Sequence, residues 1–312
     1  MGYGSWTSSS WTSYTTAKGY TPMSSASEMY TSRRMKDAFD PTQFKLRESC
    51  DSAEHPNSTP IVLALDVTGS MSSVLETVSK RLGDTMGEIY KRNPVTDPQV
   101  CFMAFGDGEC DDSPIQVTQF ESDIRIAEQL NDIYFERGGG GNGGESYAFP
   151  WYVASRRCKT DAWDKHHKKG FLFTVGDECC LPQLTREQIK EFLGDNVERD
   201  LSATELLTEV SRKYEVYHLI VDPVGYQPVY KDWKHLLGKN AIIVEDIDKI
   251  PEIIVSILEL HSGKSAVEVI NSWDGSVKLV VRDALKDLST SGGYHSSTGG
   301  YTHAGSSGII EF

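Results

Sequence analysis

The sequence lacks the features that would place the chain in a membrane or on a nucleic acid. No apolar run approaches the length of about 18 residues that a membrane-spanning helix needs. The opening residues, MGYGSWTSSSWTSYTT, have neither the basic start nor the apolar run of a signal peptide. Only 31 basic residues face 45 acidic ones, for a net charge of -14, which argues against anionic partners. We therefore expect a cytoplasmic protein that binds neither nucleic acid nor membrane.

Zinc-binding and common catalytic motifs are also missing. The six cysteines show no zinc-ligand spacing, and the adjacent pair Cys179 and Cys180 is poorly placed for an ordinary structural disulfide. Reduced thiols are the expected state. The chain has no Ser-His-Asp order, nucleophile elbow, Walker loop or dinucleotide fingerprint. These absences argue against nucleotide binding and against triad-type hydrolysis.

Composition divides the chain into a body and two low-complexity ends. We assign residues 1–57 to an N-terminal tail and lead-in and residues 290–312 to a C-terminal tail, because Ser, Thr and Gly dominate both ends. Their aromatic residues leave open that the tails dock on the body or on a partner. Residues 58–262 form the predicted main domain. Residues 263–289 are predicted to be a helical extension, with a hairpin around Asp274 and Gly275 as the alternative.

Short apolar runs alternate with amphipathic segments in the main domain, as in open parallel α/β sheets. The runs are PIVLALD (60–66), QVCFMAFGD (99–107), GFLFTVGD (170–177), EVYHLIVD (215–222) and AIIVED (241–246). Three- and four-residue spacing predicts helices over about 70–92, 121–135, 145–159, 185–194, 202–213 and 248–261. IQVTQF (115–120) is predicted to be an antiparallel edge strand. The pattern therefore predicts an open, doubly wound, mostly parallel six-stranded sheet with helices on both faces.

Acidic residues end three of the predicted strands. Asp66, Asp107 and Asp177 should lie on one edge of the sheet, where ligands of such sheets collect. Three acids close together repel one another unless a cation or a proton lies between them. Thr68 and Ser70 follow Asp66 at alternate positions and add hydroxyl oxygens. The alternative is that strand-end acids only cap the helices that follow them.

These residues resemble those of von Willebrand factor A domains. DVTGS after an apolar strand is similar to the D-x-S/T-x-S motif of the family's metal-ion-dependent adhesion site, and FTVGDE is similar to the acid that ends its fourth strand. RGGGGNGGESYAF (137–149) matches the Gly-rich loop that supplies another ligand. The resemblance covers residues 58–262. It implies a site for Mg²⁺, with Mn²⁺ or Ca²⁺ as alternatives, held by Asp66, Thr68, Ser70, Asp177 and a loop residue.

The loop departs from the family pattern. The family usually places Thr there, and none occurs between Arg137 and Phe149, so Glu145 falls at that position with Ser146 beside it. Glu145 as the ligand would fill the position that a partner's acid takes in the family, which favours a permanently bound ion. Ser146 as the ligand keeps the family pattern. In the third interpretation Glu145 is only an acid at a helix N-terminus. Gly138 to Gly141 either let the backbone pass close to the ion or form a mobile loop.

The resemblance implies a protein-interaction module and no enzymatic activity. Intracellular bacterial members of the family commonly work beside AAA+ ATPases of the MoxR type, so an adaptor to such an ATPase is the predicted function. Asp107 and Glu109 form either a rim that attracts a basic partner or a solvated acidic turn.

Two alternative functions stay open. The first is a phosphoaspartate phosphohydrolase of the haloacid dehalogenase type with Asp66 as the nucleophile. Against it, those enzymes generally carry a second acid two residues after the nucleophile or a Lys before the Thr, where this chain has Thr68 and Val67. They also tend to have an acid at the position of Leu181. The second alternative is a surface adhesin, which the missing export signal disfavours.

Overall fold

A computed structural model describes residues 4–21, 23–136, 143–221 and 226–289. The strands are β1 Arg47–Ser49, β2 Thr59–Asp66, β3 Pro98–Phe105, β4 Ile115–Val117, β5 Gly144–Glu145, β6 Cys158–Thr160, β7 Gly170–Gly176, β8 Cys179–Cys180, β9 Gln183–Leu184, β10 Leu201–Ser202, β11 Tyr214–Ile220 and β12 Ala241–Ile243. The helices are α1 Ser8–Lys18, α2 Ala26–Met29, α3 Ser72–Arg92, α4 Arg125–Asn131, α5 Ala148–Arg156, α6 Asp161–Asp164, α7 Arg186–Leu193, α8 Ala203–Val210, α9 Tyr226–Leu237, α10 Ile250–His261, α11 Ala266–Asn271, α12 Gly275–Ala284 and α13 Lys286–Ser289.

The central sheet has six strands in the order β12-β11-β7-β2-β3-β4. Neighbouring strands from β12 to β3 are parallel, and β4 pairs antiparallel with β3 at the edge. The predicted fold class, an α/β fold with a mostly parallel six-stranded sheet and one antiparallel edge strand, is confirmed. From β2 the chain proceeds to β3 on one side and later to β7 on the other. The crossovers therefore diverge between β2 and β7, where open α/β sheets bind their ligands.

Helices cover both faces of the sheet because apolar residues continue along the buried strands without interruption. Ile61, Leu63 and Leu65 of β2 pack in one core with α3, α4 and α10, while Val62 and Ala64 pack in the other with α5, α7, α8 and α9. Full burial of a Val, Leu or Ile side chain contributes about 1.5–3 kcal/mol to the stability of the fold. No helix in the described ranges is both long and apolar enough to cross a membrane.

The Ser/Thr-rich start of the chain packs on the body. Helix α1 follows a capping box formed by Thr7 and Ser10. Trp6 and Tyr14 are buried in the core that contains α3. The indole of Trp11 lies against Gly83 of α3, where a Cβ would come within 2.2 Å of Trp11 Nε1. Of the two alternatives for these aromatic residues, docking on the body is therefore the one observed for residues 4–21.

Residues 266–289 form the helices α11, α12 and α13, as predicted for this segment, and the hairpin alternative is wrong. A buried carboxylate anchors this extension, since Glu259 of α10 is fully buried and pairs with Lys264 at 2.5 Å and with Arg92 of α3 at 3.3 Å. The Arg92 guanidinium lies 3.6 Å from the ring centroid of Trp273. The extension is thus tied to the body by an ion pair and a cation–π contact. The predicted tail 290–312 lies outside the described residues.

Candidate functional site

The turn after β2 orients Asp66. Its side chain is fully buried, and Oδ1 accepts hydrogen bonds from the Thr68 amide at 2.8 Å and from the Thr68 hydroxyl at 2.6 Å. Oδ2 is buried and has no hydrogen-bond partner among the residues that the structure describes. Ser70 is exposed, with its hydroxyl oxygen 3.5 Å from that of Thr68. Burying a carboxylate oxygen without a hydrogen-bond donor costs free energy. A proton or a cation beside Asp66 Oδ2 would therefore stabilise the folded chain.

Glu145 lies in a short strand rather than in a helix. Its strand β5 pairs in parallel with β8, and the Leu181 amide donates to the Glu145 carbonyl at 3.0 Å. The side chain is 5% exposed, and its Oε2 atom is buried without a hydrogen-bond partner in the described part of the chain. Helix α5 begins three residues later and has no acid in its first turn. The interpretation of Glu145 as a helix N-terminal acid is therefore wrong. Gly138 to Gly141 lie outside the described residues.

Ser146 joins the loop before α5 to the turn after β3. Its hydroxyl accepts a hydrogen bond from the Gly108 amide at 3.0 Å, and its own amide donates to the Gly106 carbonyl at 3.1 Å. The side chain is buried beside Glu145. One acceptor position of the Ser146 hydroxyl is thus already used inside the protein.

The two predicted rim residues differ in exposure. Asp107 is fully buried, and its Oδ1 accepts a hydrogen bond from the Glu109 amide at 2.8 Å, whereas Glu109 is exposed. The Asp107 amide donates to the Asp111 carboxylate at 2.8 Å. Gly106 permits this turn, because a Cβ there would lie 2.1 Å from the Asp111 carboxylate. Of the pair, only Glu109 has a side chain that is exposed at the surface.

Acids from separate segments repel one another across the site. Burial, followed by the charges of Asp177 and Asp111, raises the pKa of Asp66 to about 7. Burial, followed by the charge of Asp66, raises the pKa of Glu145 to about 9. Asp177 is half-buried and follows β7, the neighbour of β2. The structure therefore brings Asp66, Glu145 and Asp177 close enough to repel at the switch point of the sheet.

The donor atoms fit a hard divalent cation. All of the side-chain donors are oxygens, from the carboxylates of Asp66, Glu145 and Asp177 and from hydroxyls, and such atoms suit Mg²⁺, Mn²⁺ and Ca²⁺. Within the described ranges, no group of three or more His, Cys, Asp and Glu side chains could hold a metal ion. At most two of these carboxylates could therefore bind one ion directly, and the hydroxyls of Thr68 and Ser70 would have to complete the shell. The buried oxygens of Asp66 and Glu145 are the atoms that such an ion would satisfy.

An aromatic layer lies beneath the site. The Tyr147 ring contacts Trp233 edge to face at 4.7 Å, and His218 stacks on Trp233 at 3.6 Å. The Trp233 indole donates to the Glu178 carbonyl at 3.0 Å. Gly176 ends β7 beside Tyr147, since a Cβ there would lie 2.0 Å from the Tyr147 hydroxyl oxygen. His218 is fully buried, and its Nδ1 atom lies 2.8 Å from the Thr174 hydroxyl oxygen. Sequence reasoning missed Tyr147 and Trp233 as the support of the strand ends.

Comparisons with known proteins extend the description of the fold. No family model and no curated protein matches the sequence. Among solved structures, the pilus adhesin SpaC from Lactobacillus rhamnosus GG in its open conformation matches with 11% identity over 70% of this chain and 32% of its own length, at a TM-score of 0.47. Proximal thread matrix protein 1 from the mussel byssus matches with 9% identity over 68% of this chain and 49% of its own, at 0.44.

A third match is the conserved hypothetical protein BatB from Bacteroides thetaiotaomicron, with 13% identity over 63% of this chain and 95% of its own, at a TM-score of 0.39. The chain thus spans half or less of the first two proteins. All three matches have identities of 13% or less and TM-scores below 0.5. Membership of the von Willebrand factor A family therefore stays a prediction.

Proposed function

We propose that the carboxyl edge of the sheet is a protein-binding site that depends on a divalent cation. Mg²⁺ is the expected ion, with Mn²⁺ and Ca²⁺ as alternatives. Asp66, Thr68, Ser70 and Asp177 would hold it, together with a residue of the loop before α5. The observation that carries the proposal is the buried Asp66 Oδ2, which lacks a hydrogen-bond partner in the described part of the chain and lies at the switch point of the sheet.

The carboxylate of Asp66 supports this proposal. Thr68 uses one of its oxygens and leaves the other without a donor among the residues that the structure describes. In a net acidic chain, a bound dication supplies the positive charge that keeps such carboxylates ionised. Ser70 is exposed and Asp177 is half-buried, so the site opens at the surface. A folded partner can therefore reach it without entering a deep cavity. The resemblance to von Willebrand factor A domains supplies the partner class, a MoxR-type AAA+ ATPase.

An affinity pull-down tests this proposal. The full chain is immobilised, exposed to cell extract in millimolar Mg²⁺ or in chelator, and the retained proteins are identified by mass spectrometry. We expect one partner to be retained with Mg²⁺ and lost in chelator. Asp66→Asn is the matched variant, because Asn keeps the oxygen that accepts from Thr68 and removes the charge. Metal dependence is contradicted if the wild type in chelator and Asp66→Asn in Mg²⁺ both retain the partner as well as the wild type in Mg²⁺ does.

A further inference from the structure

Glu145 is held in place by its backbone on both sides. Its carbonyl accepts from Leu181, and the amide of the next residue donates to the Gly106 carbonyl at 3.1 Å. Strand β5 therefore bridges the segment that follows β7 and the turn that follows β3. Both of those strands carry an acid of the site near their carboxyl ends. The Glu145 side chain is consequently fixed at the same edge as Asp66 and Asp177.

The surroundings of the Glu145 carboxylate are acidic. The charges that act on it most are those of Asp66, then Asp107 and Asp111. Only 5% of Glu145 is exposed, and the buried Oε2 atom has no hydrogen-bond donor among the described residues. Water therefore solvates this charge poorly. A carboxylate in these surroundings is stable when a cation lies beside it or when it carries a proton.

We propose that Glu145 is a direct ligand of the cation together with Asp66, while Asp177 adds charge from across the site, and that Glu145 closes the coordination shell from within the chain. The inference rests on the proposed function and deepens it. The neighbouring hydroxyl of Ser146 is the less suitable donor, since it already accepts from the Gly108 amide. With Glu145 as a ligand, the chain retains its ion without a partner. A partner then binds the surface around the site, including the exposed Glu109, and contributes no acid of its own.

Mn²⁺ binding to the full chain, followed by electron paramagnetic resonance and calorimetry, tests the inference. We expect Glu145→Gln to weaken Mn²⁺ binding about tenfold or more, because carboxylate count sets the affinity of such sites. Ser146→Ala should weaken binding less. Asp112→Asn is the charge-matched control, since Asp112 is an exposed acid of the turn after β3, and it should leave binding unchanged. Equal affinities of Glu145→Gln and Asp112→Asn, or a larger effect of Ser146→Ala, would overturn the inference.

A melting curve in chelator separates lost ligation from lost folding. Glu145→Gln should melt at or above the wild-type temperature there, because it replaces a buried acid in acidic surroundings with a neutral amide of nearly the same shape. Water-proton relaxation by bound Mn²⁺ gives a second readout, in which Glu145→Ala should add ion-bound water relative to wild type, because Ala has no atom that can bind the ion. An unchanged water count would contradict direct ligation. If Asp66→Asn abolishes Mn²⁺ binding and Glu145→Gln does not, the inference fails while the proposed function stands. If neither variant affects binding, both fail.

Discussion

The protein without a bound cation should lose stability as the pH rises. Asp66 has a pKa of about 7 in the folded chain against an ordinary value of 3.8, and Glu145 has a pKa of about 9 against an ordinary value of 4.5. At a pH between the ordinary pKa and the folded-state pKa of either group, the folded state binds more protons than the unfolded state. The free energy of unfolding therefore falls with pH, and the stabilisation that protonation provides is lost as the pH passes the folded-state pKa values.

Asp66 alone gives a large effect. Each tenfold change in an acidity constant corresponds to about 1.4 kcal/mol, so the change from 3.8 to about 7 amounts to about 4 kcal/mol between acidic and alkaline conditions. Glu145 acts in the same direction. A domain of this kind is stable by about 5–15 kcal/mol in total, so the loss is easily measured.

Urea unfolding followed by circular dichroism measures this loss. The titrations are run in chelator at about pH 5 and about pH 8, on either side of the folded-state pKa of Asp66, and this interval contains about 3 kcal/mol of the contribution from Asp66. We expect the wild type to be less stable at the higher pH, and Mg²⁺ to restore part of the difference by binding the ionised site. Asp66→Asn should show a smaller dependence on pH. Equal wild-type stability at the two pH values in chelator, or a full dependence in Asp66→Asn, would refute the reasoning.

Three further outcomes are expected. Gly83→Ala should displace Trp11 and increase proteolysis of about the first 20 residues, because the new Cβ atom would meet the Trp11 indole. Gly87→Ala on the same helix is the control, since a Cβ atom there meets no described atom within 4 Å. It should raise the free energy of unfolding in urea titrations by about 1 kcal/mol. Arg92→Met should cost about 2 kcal/mol by the same titration, because it removes one of two cations paired with the buried Glu259 carboxylate and leaves the other, Lys264, in place. With Mg²⁺ and a chromogenic phosphate ester, we expect the wild type to hydrolyse the ester no faster than Asp66→Asn does. Clear turnover by the wild type alone would support the phosphoaspartate alternative.

The sheet was predictable because its strands are long apolar runs with acids behind them. The predicted run 60–66 corresponds to β2 at Thr59–Asp66, and the run 170–177 to β7 at Gly170–Gly176. Parallel strands have their carboxyl ends at one edge of the sheet. The positions of Asp66 and Asp177 at strand ends were therefore enough to predict that they lie near each other, whatever the loops do. The second strand ends at Phe105, two residues earlier than predicted, because Gly106 starts a turn in which the Asp107 amide donates to the Asp111 carboxylate.

Features set by distant contacts were not predictable. Strand β5 has two residues, and its pairing with β8 joins segments that local patterns do not connect. Helix α9 was missed although Val229, Trp233 and Leu237 follow each other at intervals of four, because Pro228 interrupts the pattern. A proline in the first helical turn is well tolerated, and the helix begins at Tyr226. The spacing around Trp233 was the signal that would have revealed the layer beneath the site.

The position of Trp233 makes the protein a natural spectroscopic probe of its own site. Its indole N–H is bonded to the carbonyl of Glu178, the residue after Asp177, and its ring stacks on His218. A shift of that backbone on binding would change the polarity and quenching that the excited indole experiences. Emission from this side chain, isolated by comparison with a Trp233→Phe variant, can therefore report events at the carboxyl edge without an attached dye.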